Sequence, residues 1–362
     1  MSKIISLSKE EGSDLKYYNK NLIKIISFFI KNDFMFILSF IITNWMVIFK
    51  VRIDINKNKY DIIHAHDINS FNGLFNICKR KKIKLLLQLH GFLNSGNLAL
   101  KKIHENSWAG KYLLKKEIKA FTRAEIIIAN STYYIDYLKQ YTDINKIRLI
   151  YNFVDCNVFI KFDEEIRKSL KEQFNFNKNE FILMYAGRLA KSKGIKYILE
   201  AMKLIDNIPV KLIIAGDGPE RDNYTYYVNN NNLSEKIIFK GDLNKNDLIN
   251  LYNITNCFIM TPVSDEGPIE GTSLAILEAM SCGLPVITTP IGGINNIFEK
   301  ISESLVLEEK NSSAISAAII RLYKDRELAE ALSKKSYELV RNDFSVEAGI
   351  NKLCKVYEEI LG

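Results

Sequence analysis

Two glutamates eight residues apart, Glu270 and Glu278 in the stretch SDEGPIEGTSLAILEAM (264–280), could form a pair of catalytic carboxylates. A hydrolytic acid and its partner need carboxyl groups about 5 to 10 Å apart. On one helix, a rise of about 1.5 Å per residue would separate the two backbones by roughly 12 Å and turn the side chains in different directions. The spacing therefore argues against a hydrolytic dyad, and each carboxylate needs its own task. A second set of groups lies upstream in AGRLAKSKG (186–194), which follows an apolar run and opens a helix-like pattern. Gly187 lets the backbone turn closely, and Arg188 and Lys193 bring two cations to a helix N-terminus, whose partial positive charge also attracts anions. That combination suits a diphosphate. The stretch is neither G-x-G-x-x-G nor a Walker A loop, which counts against NAD and ATP. In IAGDGPE (214–220), Gly216 and Gly218 with Pro219 give a tight turn, a plausible second wall of the same site.

These groups need elements to hold them. CFIMTP reads as a strand, VSDEGPIEG as a loop, and TSLAILEAMSCG as a helix with Thr272 or Ser273 as N-cap and Gly283 at its end. Glu270 then precedes the helix and Glu278 lies within it. The backbone N–H groups of Gly271, Thr272, Ser273 and Leu274 fall between them as an anion site. Each carboxylate would accept hydrogen bonds from a different polyol, with the diphosphate between. From residue 60 short apolar runs alternate with helical patterns, the sign of βαβ units and parallel sheets. YDIIHAH, IKLLLQLHG, EIIIAN and KIRLIYN form one series; FILMYAGR, VKLIIAGDG, KIIFKG, CFIMTP, LPVITTP and SLVLEE form a second. Residues 156–178, charged and less apolar in pattern, read as a connection.

With 362 residues the chain exceeds one ordinary α/β core. Its 47% apolar and 25% charged residues are those of a folded globular protein. Five scattered cysteines without C-x-x-C spacing imply a reduced compartment and no structural zinc. Residues 1–120 carry 21 Lys and Arg against 9 Asp and Glu, a net +12 that leaves −4 for the remainder of a +8 chain. A basic N-terminal part can meet nucleic acid, an anionic membrane or a phosphorylated substrate, or be only a solvated surface. No recognition motif accompanies the charge, so nucleic acid is not expected. No cleavable leader is expected at the N-terminus. The apolar stretch FMFILSFIITNWMVIF (34–49) is compatible with a buried helix, an interfacial membrane helix or a span, and falls short of the roughly 20 residues a span requires.

GRLAKSKG, AGDGP and EGTSLAILEAMSCGLPVI…GG, in that order and spacing, resemble the retaining glycosyltransferases of family 4, over about residues 58–360. The resemblance implies an α/β GT-B fold, two Rossmann-like domains with parallel sheets facing a central cleft. The expected organisation is an acceptor-side domain over 1–158, a linker over 159–178, a nucleotide-sugar domain over 179–340 and a C-terminal helix over 341–362 that packs back on the first domain. It implies that Glu270 contacts the donor sugar, Glu278 the ribose, and Arg188 and Lys193 the diphosphate. QLHG matches the family's strand-end histidine, so His90 would face the transferred sugar, and HAHD places His66 and Asp67 on the acceptor side. His64 and His66 share a strand face, but no further ligands accompany them and no metal or other cofactor is expected. The family's glycine-rich first loop has only KIISLSKEEGSD as counterpart, with one glycine, so that loop is divergent around Glu11–Ser13 or the first strand is missing. Asn296 stands in GGINNIFEK where many relatives carry an acid.

The expected activity is transfer of a sugar from a nucleoside-diphosphate sugar, with UDP favoured, to a glycan or lipid-linked acceptor. Retention of configuration is implied by the resemblance, through front-side attack in which a leaving phosphate oxygen takes the acceptor proton. The setting would be cell-surface polysaccharide or glycolipid synthesis, cytoplasmic or at the cytoplasmic membrane face, with residues 34–49 as a peripheral contact. A sugar-nucleotide epimerase or phosphorylase of similar fold, and a non-catalytic or impaired transferase-derived binding protein, are the alternatives.

Overall fold

The structure is a computed structural model that describes residues 4–7, 45, 48–92, 107–206, 208–264, 271–301 and 304–362. The chain divides into two compact units, residues 1–150 with 352–362, and residues 151–351.

The first unit holds a five-stranded parallel sheet in the order β1 (Ile4–Leu7), β2 (Ile62–Ala65), β3 (Lys84–Leu89), β4 (Ile127–Ala129), β5 (Ile147–Leu149). A first strand is therefore present, pairing in parallel from Ile4↔Ile62 to Leu7↔Ala65. That removes the alternative in which it is missing; the loop around Glu11–Ser13 lies outside the described residues. The strands are apolar on both faces, as expected where each face is covered. Ile63, Ala65, Leu85, Leu87 and Ile127 share a core with helices α1 (Ile68–Lys81), α2 (Trp108–Arg123) and α3 (Thr132–Leu138). Ile62, Leu86, Ile126 and Ile128 share the opposite one with Val356 and Ile360 of the last helix, α12 (Val346–Leu361).

The second unit holds a six-stranded parallel sheet of β6 (Phe181–Ala186), β7 (Val210–Ala215), β8 (Ile237–Gly241), β9 (Cys257–Met260), β10 (Val286–Thr288) and β11 (Leu305–Val306). Its order is β11-β10-β9-β6-β7-β8. The chain runs outwards from β6 through β7 to β8, then returns to β9 on the other side of β6. The boundary between β6 and β9 is thus the topological switch point, where the carboxyl ends of parallel strands leave a crevice for ligands. Helices α4 (Glu164–Gln173), α5 (Ile195–Lys203), α6 (Arg221–Asn230), α7 (Lys245–Ile254), α8 (Leu274–Ser281), α9 (Ile294–Phe298), α10 (Ser312–Lys324) and α11 (Arg326–Asp343) complete the unit.

Residues 159–178, read as a linker, lie within this unit. Phe159 and Phe176 enter its core, and α4 is tied to α7 through Arg167 Nε, which donates to the Asn253 carbonyl at 2.8 Å. The 34–49 stretch lies largely outside the described residues. Residues 48–57 are helical, and among the described residues no helix is long and apolar enough to cross a membrane.

Candidate functional site

In the second unit three loops meet at the carboxyl edge of the sheet, around the switch point. The loop after β6 carries Gly187, Arg188 and Lys193; its Leu189 N–H donates to the Asp217 carbonyl at 2.9 Å in the loop after β7. Val263, in the loop after β9, donates its N–H to the Ser192 carbonyl at 3.0 Å. The approach is so close that side chains are excluded at two glycines. A Cβ on Gly194, where φ is +66°, would lie 1.8 Å from the Thr261 carbonyl oxygen. One on Gly216, at φ +116°, would lie 2.1 Å from the Gly187 oxygen. Both positions combine a left-handed backbone with backbone contact, which glycine alone tolerates. Gly218 closes the same seam, N-terminal to α6.

Arg188 is exposed at the rim. Its carbonyl accepts from the hydroxyl of Tyr185 at 2.9 Å, a ring wholly buried on β6, so the loop bearing the guanidinium is anchored to the sheet. Lys193 is half-buried one turn further on, just before α5.

α8 begins at Leu274, with Ser273 in the N-cap position and no side-chain capping bond. Ser273 turns its hydroxyl towards Met260 Sδ at 3.4 Å. The first-turn amides of α8 are thus left uncapped by that side chain, which favours a negative charge there. Thr272 is buried, and its carbonyl accepts from Asn152 Nδ2 at 2.7 Å.

Glu278 lies one turn into α8, on the face that begins with the half-exposed Leu274, roughly 6 Å along the axis from the helix start. The hydroxyl of Tyr252, wholly buried on α7, donates to Glu278 Oε2 at 3.0 Å. Burial pushes the carboxyl up from its usual 4.5 to about 7, while Tyr252 and Lys245 draw it partly back down. Tyr252 is itself raised by burial and by the neighbouring carboxylate. Glu270 lies outside the described residues; the loop that leads to it is held at Ser264, whose N–H and hydroxyl donate to Glu309 Oε2 at 2.7 and 3.0 Å.

In the first unit the expected residues cluster at the ends of β2 and β3. Asp67 is the N-cap of α1: its Oδ1 accepts from the N–H groups of Asn69 and Ser70 at 2.8 and 2.9 Å, and its Oδ2 from the Ser70 hydroxyl at 2.6 Å. Those three bonds give the carboxylate a structural duty. His90 is exposed, and its carbonyl accepts from the Tyr134 hydroxyl at 3.3 Å. His66 Nδ1 lies 3.0 Å from His90 Nε2. His64 is 1% exposed, stacked on His66 at 4.3 Å between centroids, and hydrogen bonded through Nδ1 to the Tyr357 hydroxyl at 2.8 Å. Among the described residues no group of three or more His, Cys, Asp or Glu is arranged to hold a metal ion.

Tyr252, Asn152, Glu309 and Tyr357 were not visible as site residues in the sequence. Asn152 has a local signal, as a polar residue just past a strand; the other three reach their partners, within their own units, from distant helices or strand ends.

Residues 166–339 match the family described as glycosyl transferases group 1, and residues 12–158 match glycosyltransferase family 4. A Bacillus anthracis protein, N-acetyl-alpha-D-glucosaminyl L-malate synthase, is 26% identical over 241 residues, 66% of this chain and 61% of its own length. An Escherichia coli UDP-Gal:alpha-D-GlcNAc-diphosphoundecaprenol alpha-1,3-galactosyltransferase is 28% identical over 319 residues, 85% of this chain and 77% of its own length. Among solved structures, the Anabaena HepE protein in complex with UDP superposes with a TM-score of 0.74 at 19% identity, covering 85% of this chain and 81% of that one. With two parallel-sheet Rossmann-like units and both halves matched, the chain belongs to the family 4 glycosyltransferases, enzymes of the GT-B fold.

Proposed function

We propose that the chain moves a sugar from a nucleoside-diphosphate sugar, UDP favoured, to a glycan or lipid-linked acceptor with retention of configuration. The observation that carries this reading is the placement of α8 at the switch point, with uncapped amides at its start and the Glu278 carboxylate one turn along. Amides attract a diphosphate, and a carboxylate accepts hydrogen bonds from the vicinal hydroxyls of a ribose. Arg188 and Lys193 add positive charge to the loop beside them. UDP in the complex of the Anabaena protein supports the choice of base.

In the proposed reaction the bond between the anomeric carbon and the phosphate oxygen breaks, and the acceptor oxygen bonds to the same face of that carbon. The acceptor proton passes to a leaving phosphate oxygen. Arg188, Lys193 and the α8 amides stabilise the charge that develops on the departing diphosphate, a contribution that often dominates catalysis. Glu270 and His90 orient the donor sugar.

The acceptor side is proposed to be a membrane face. Trp45, Phe49 and Ile53 recur every four residues and are 58%, 49% and 40% exposed. Lys50 and Lys57 are exposed on the same stretch. Apolar and basic groups so combined suit an anionic lipid surface, and the cytoplasmic face is the one that meets sugar nucleotides.

Thermal-shift screening with UDP-, GDP- and ADP-sugars, followed by transfer to lipid-linked acceptors and anomeric NMR of the product, tests the reading. Stabilisation by one UDP-sugar and a product of unchanged anomeric configuration are expected. Turnover of the donor that does not depend on acceptor, with an epimerised sugar or a sugar phosphate as product, would instead establish the epimerase or phosphorylase alternative.

A further inference from the structure

Three histidines of the first unit form a continuous column. His64 and His66, two residues apart on β2 and just beyond it, project to one face of the strand. Tyr357 of α12 fixes the inner end: its hydroxyl bonds His64 Nδ1 at 2.8 Å and its ring meets His64 edge-on. His64 is wholly packed, and its Nε2 has no hydrogen-bond partner, so its ring is held by Tyr357 and by the stack on His66.

The next contact differs in kind. His66 and His90 have ring centroids 5.3 Å apart with planes only 17° from parallel, while His66 Nδ1 and His90 Nε2 are 3.0 Å apart. A centroid separation of that size is what an end-on N···N contact requires once the radius of each ring is added. The two imidazoles therefore meet edge to edge, nearly in one plane, as in a good hydrogen bond. Burial, reinforced by His90, holds His66 down at about 4, and burial with its two neighbours holds His64 at about 3. At neutral pH His66 thus offers either an N–H or a lone pair to His90, and the choice made by one ring dictates that of the other.

We propose that His66 is the positioning residue of His90, its Nδ1 hydrogen bonding His90 Nε2 and so fixing the ring orientation and the tautomer with which His90 meets the donor sugar. Tyr357 and His64 hold His66 in place from behind, which makes the column a support for the strand-end histidine and gives His66 a task other than touching the acceptor. The inference rests on the reading of His90 as a sugar-facing residue.

The chain has four histidines, few enough for ¹⁵N-histidine NMR, with His90→Gln assigning the His90 signals. In the wild type each His90 ring nitrogen should show the shift of a single tautomer. His66→Ala should move both signals towards the average of two tautomers and lower kcat about ten- to a hundredfold, with the affinity for UDP unchanged. An asparagine amide occupies the place of a histidine Nδ1, so His66→Asn should restore most of both properties. Should His66→Ala fail to fold, as seen by loss of UDP binding, His66→Asn and the wild-type spectrum still decide. His90 signals that are the same in wild type and His66→Ala, or an unchanged kcat, would overturn the proposal. A wild type that transfers no sugar to any acceptor would instead overturn the functional reading, and the NMR comparison would still report on the histidine pair.

Discussion

Burial pushes the carboxyl of Glu278 up to about 7 in the folded protein, so the proposed contact of Glu278 with the ribose would link nucleotide binding to pH. Ribose hydroxyls that donate hydrogen bonds are held far better by an ionised carboxylate than by a protonated one, so binding there would expel the proton where one is held. The ionised fraction of a group with a pKa of about 7 rises about 25-fold between pH 5.5 and pH 7.5, so affinity should strengthen by about that factor, or about 1.9 kcal/mol. Calorimetry with a UDP-sugar is the suitable assay, because free UDP has a terminal phosphate that titrates in the same range. Repeating the titration in buffers of different ionisation enthalpy should reveal uptake of close to one proton by the buffer at pH 6. Glu278→Gln presents a neutral acceptor at every pH, as the protonated carboxyl does, so it should bind about 25-fold or more weakly than wild type at pH 8 and lose the pH dependence. An affinity that varies less than twofold over this range, or strengthens towards acid, would refute the assignment of Glu278 to the ribose. The same shift has a consequence for folding. With a folded value near 7 above an unfolded value near 4.5, the folded state keeps its proton where the unfolded chain has lost it. The contribution is therefore full below pH 4.5 and disappears as pH rises to 7, by about 3 kcal/mol; urea titrations of wild type and Glu278→Gln against pH should differ by that amount.

Other outcomes follow from the loops and the surface. Gly194→Ala places a Cβ against the Thr261 carbonyl at a left-handed position, so the protein should lose about 2–4 kcal/mol in denaturant titrations and bind UDP-sugar less tightly. Arg188→Ala and Lys193→Ala should each weaken UDP-sugar binding about ten- to a hundredfold, the loss of one charge-assisted hydrogen bond; unchanged affinity in calorimetry would remove that residue from the site. Replacing Trp45 and Phe49 together by alanine should reduce co-sedimentation with vesicles of anionic lipid by about tenfold or more, leaving UDP-sugar affinity as it was, since both side chains are exposed.

All ten strands from YDIIHAH onwards could be read from short apolar runs that end on glycine or a polar residue, because parallel strands covered on both faces leave no other pattern. The helix of Glu278 was equally legible, from Thr272 and Ser273 at its start to Gly283 at its end. Residues 159–178 read as a linker because α4 has no fully buried residue; Phe159 and Phe176, flanking it, enter the core, and Leu170 packs against it. The strand Ile4–Leu7 was obscured by its brevity and by the charged residues after it. Asp67 was legible as a strand-end acid, but its use as a cap depends on the helix start at Ile68, which sequence periodicity locates poorly. The pairing of Glu278 with Tyr252 across 26 residues, and of His64 with Tyr357 across 293, depends on packing between elements, for which no local spacing exists.

The return of the chain to its first unit at residue 352 has a consequence for biosynthesis. On the ribosome, β2, β3 and β4 emerge early, yet among the described residues Ile62, Leu86 and Ile128 share their cluster with Val356 and Ile360, which are made last. The intervening residues 151–351 take about 10 to 40 s to make at typical elongation rates. During that interval the second unit, continuous in sequence, can complete its own core while the nascent first unit still lacks the α12 part of its packing. A message truncated before α12 would lack the contacts that Val356 and Ile360 make with Ile62, Leu86 and Ile128. The unit made first is the one finished last.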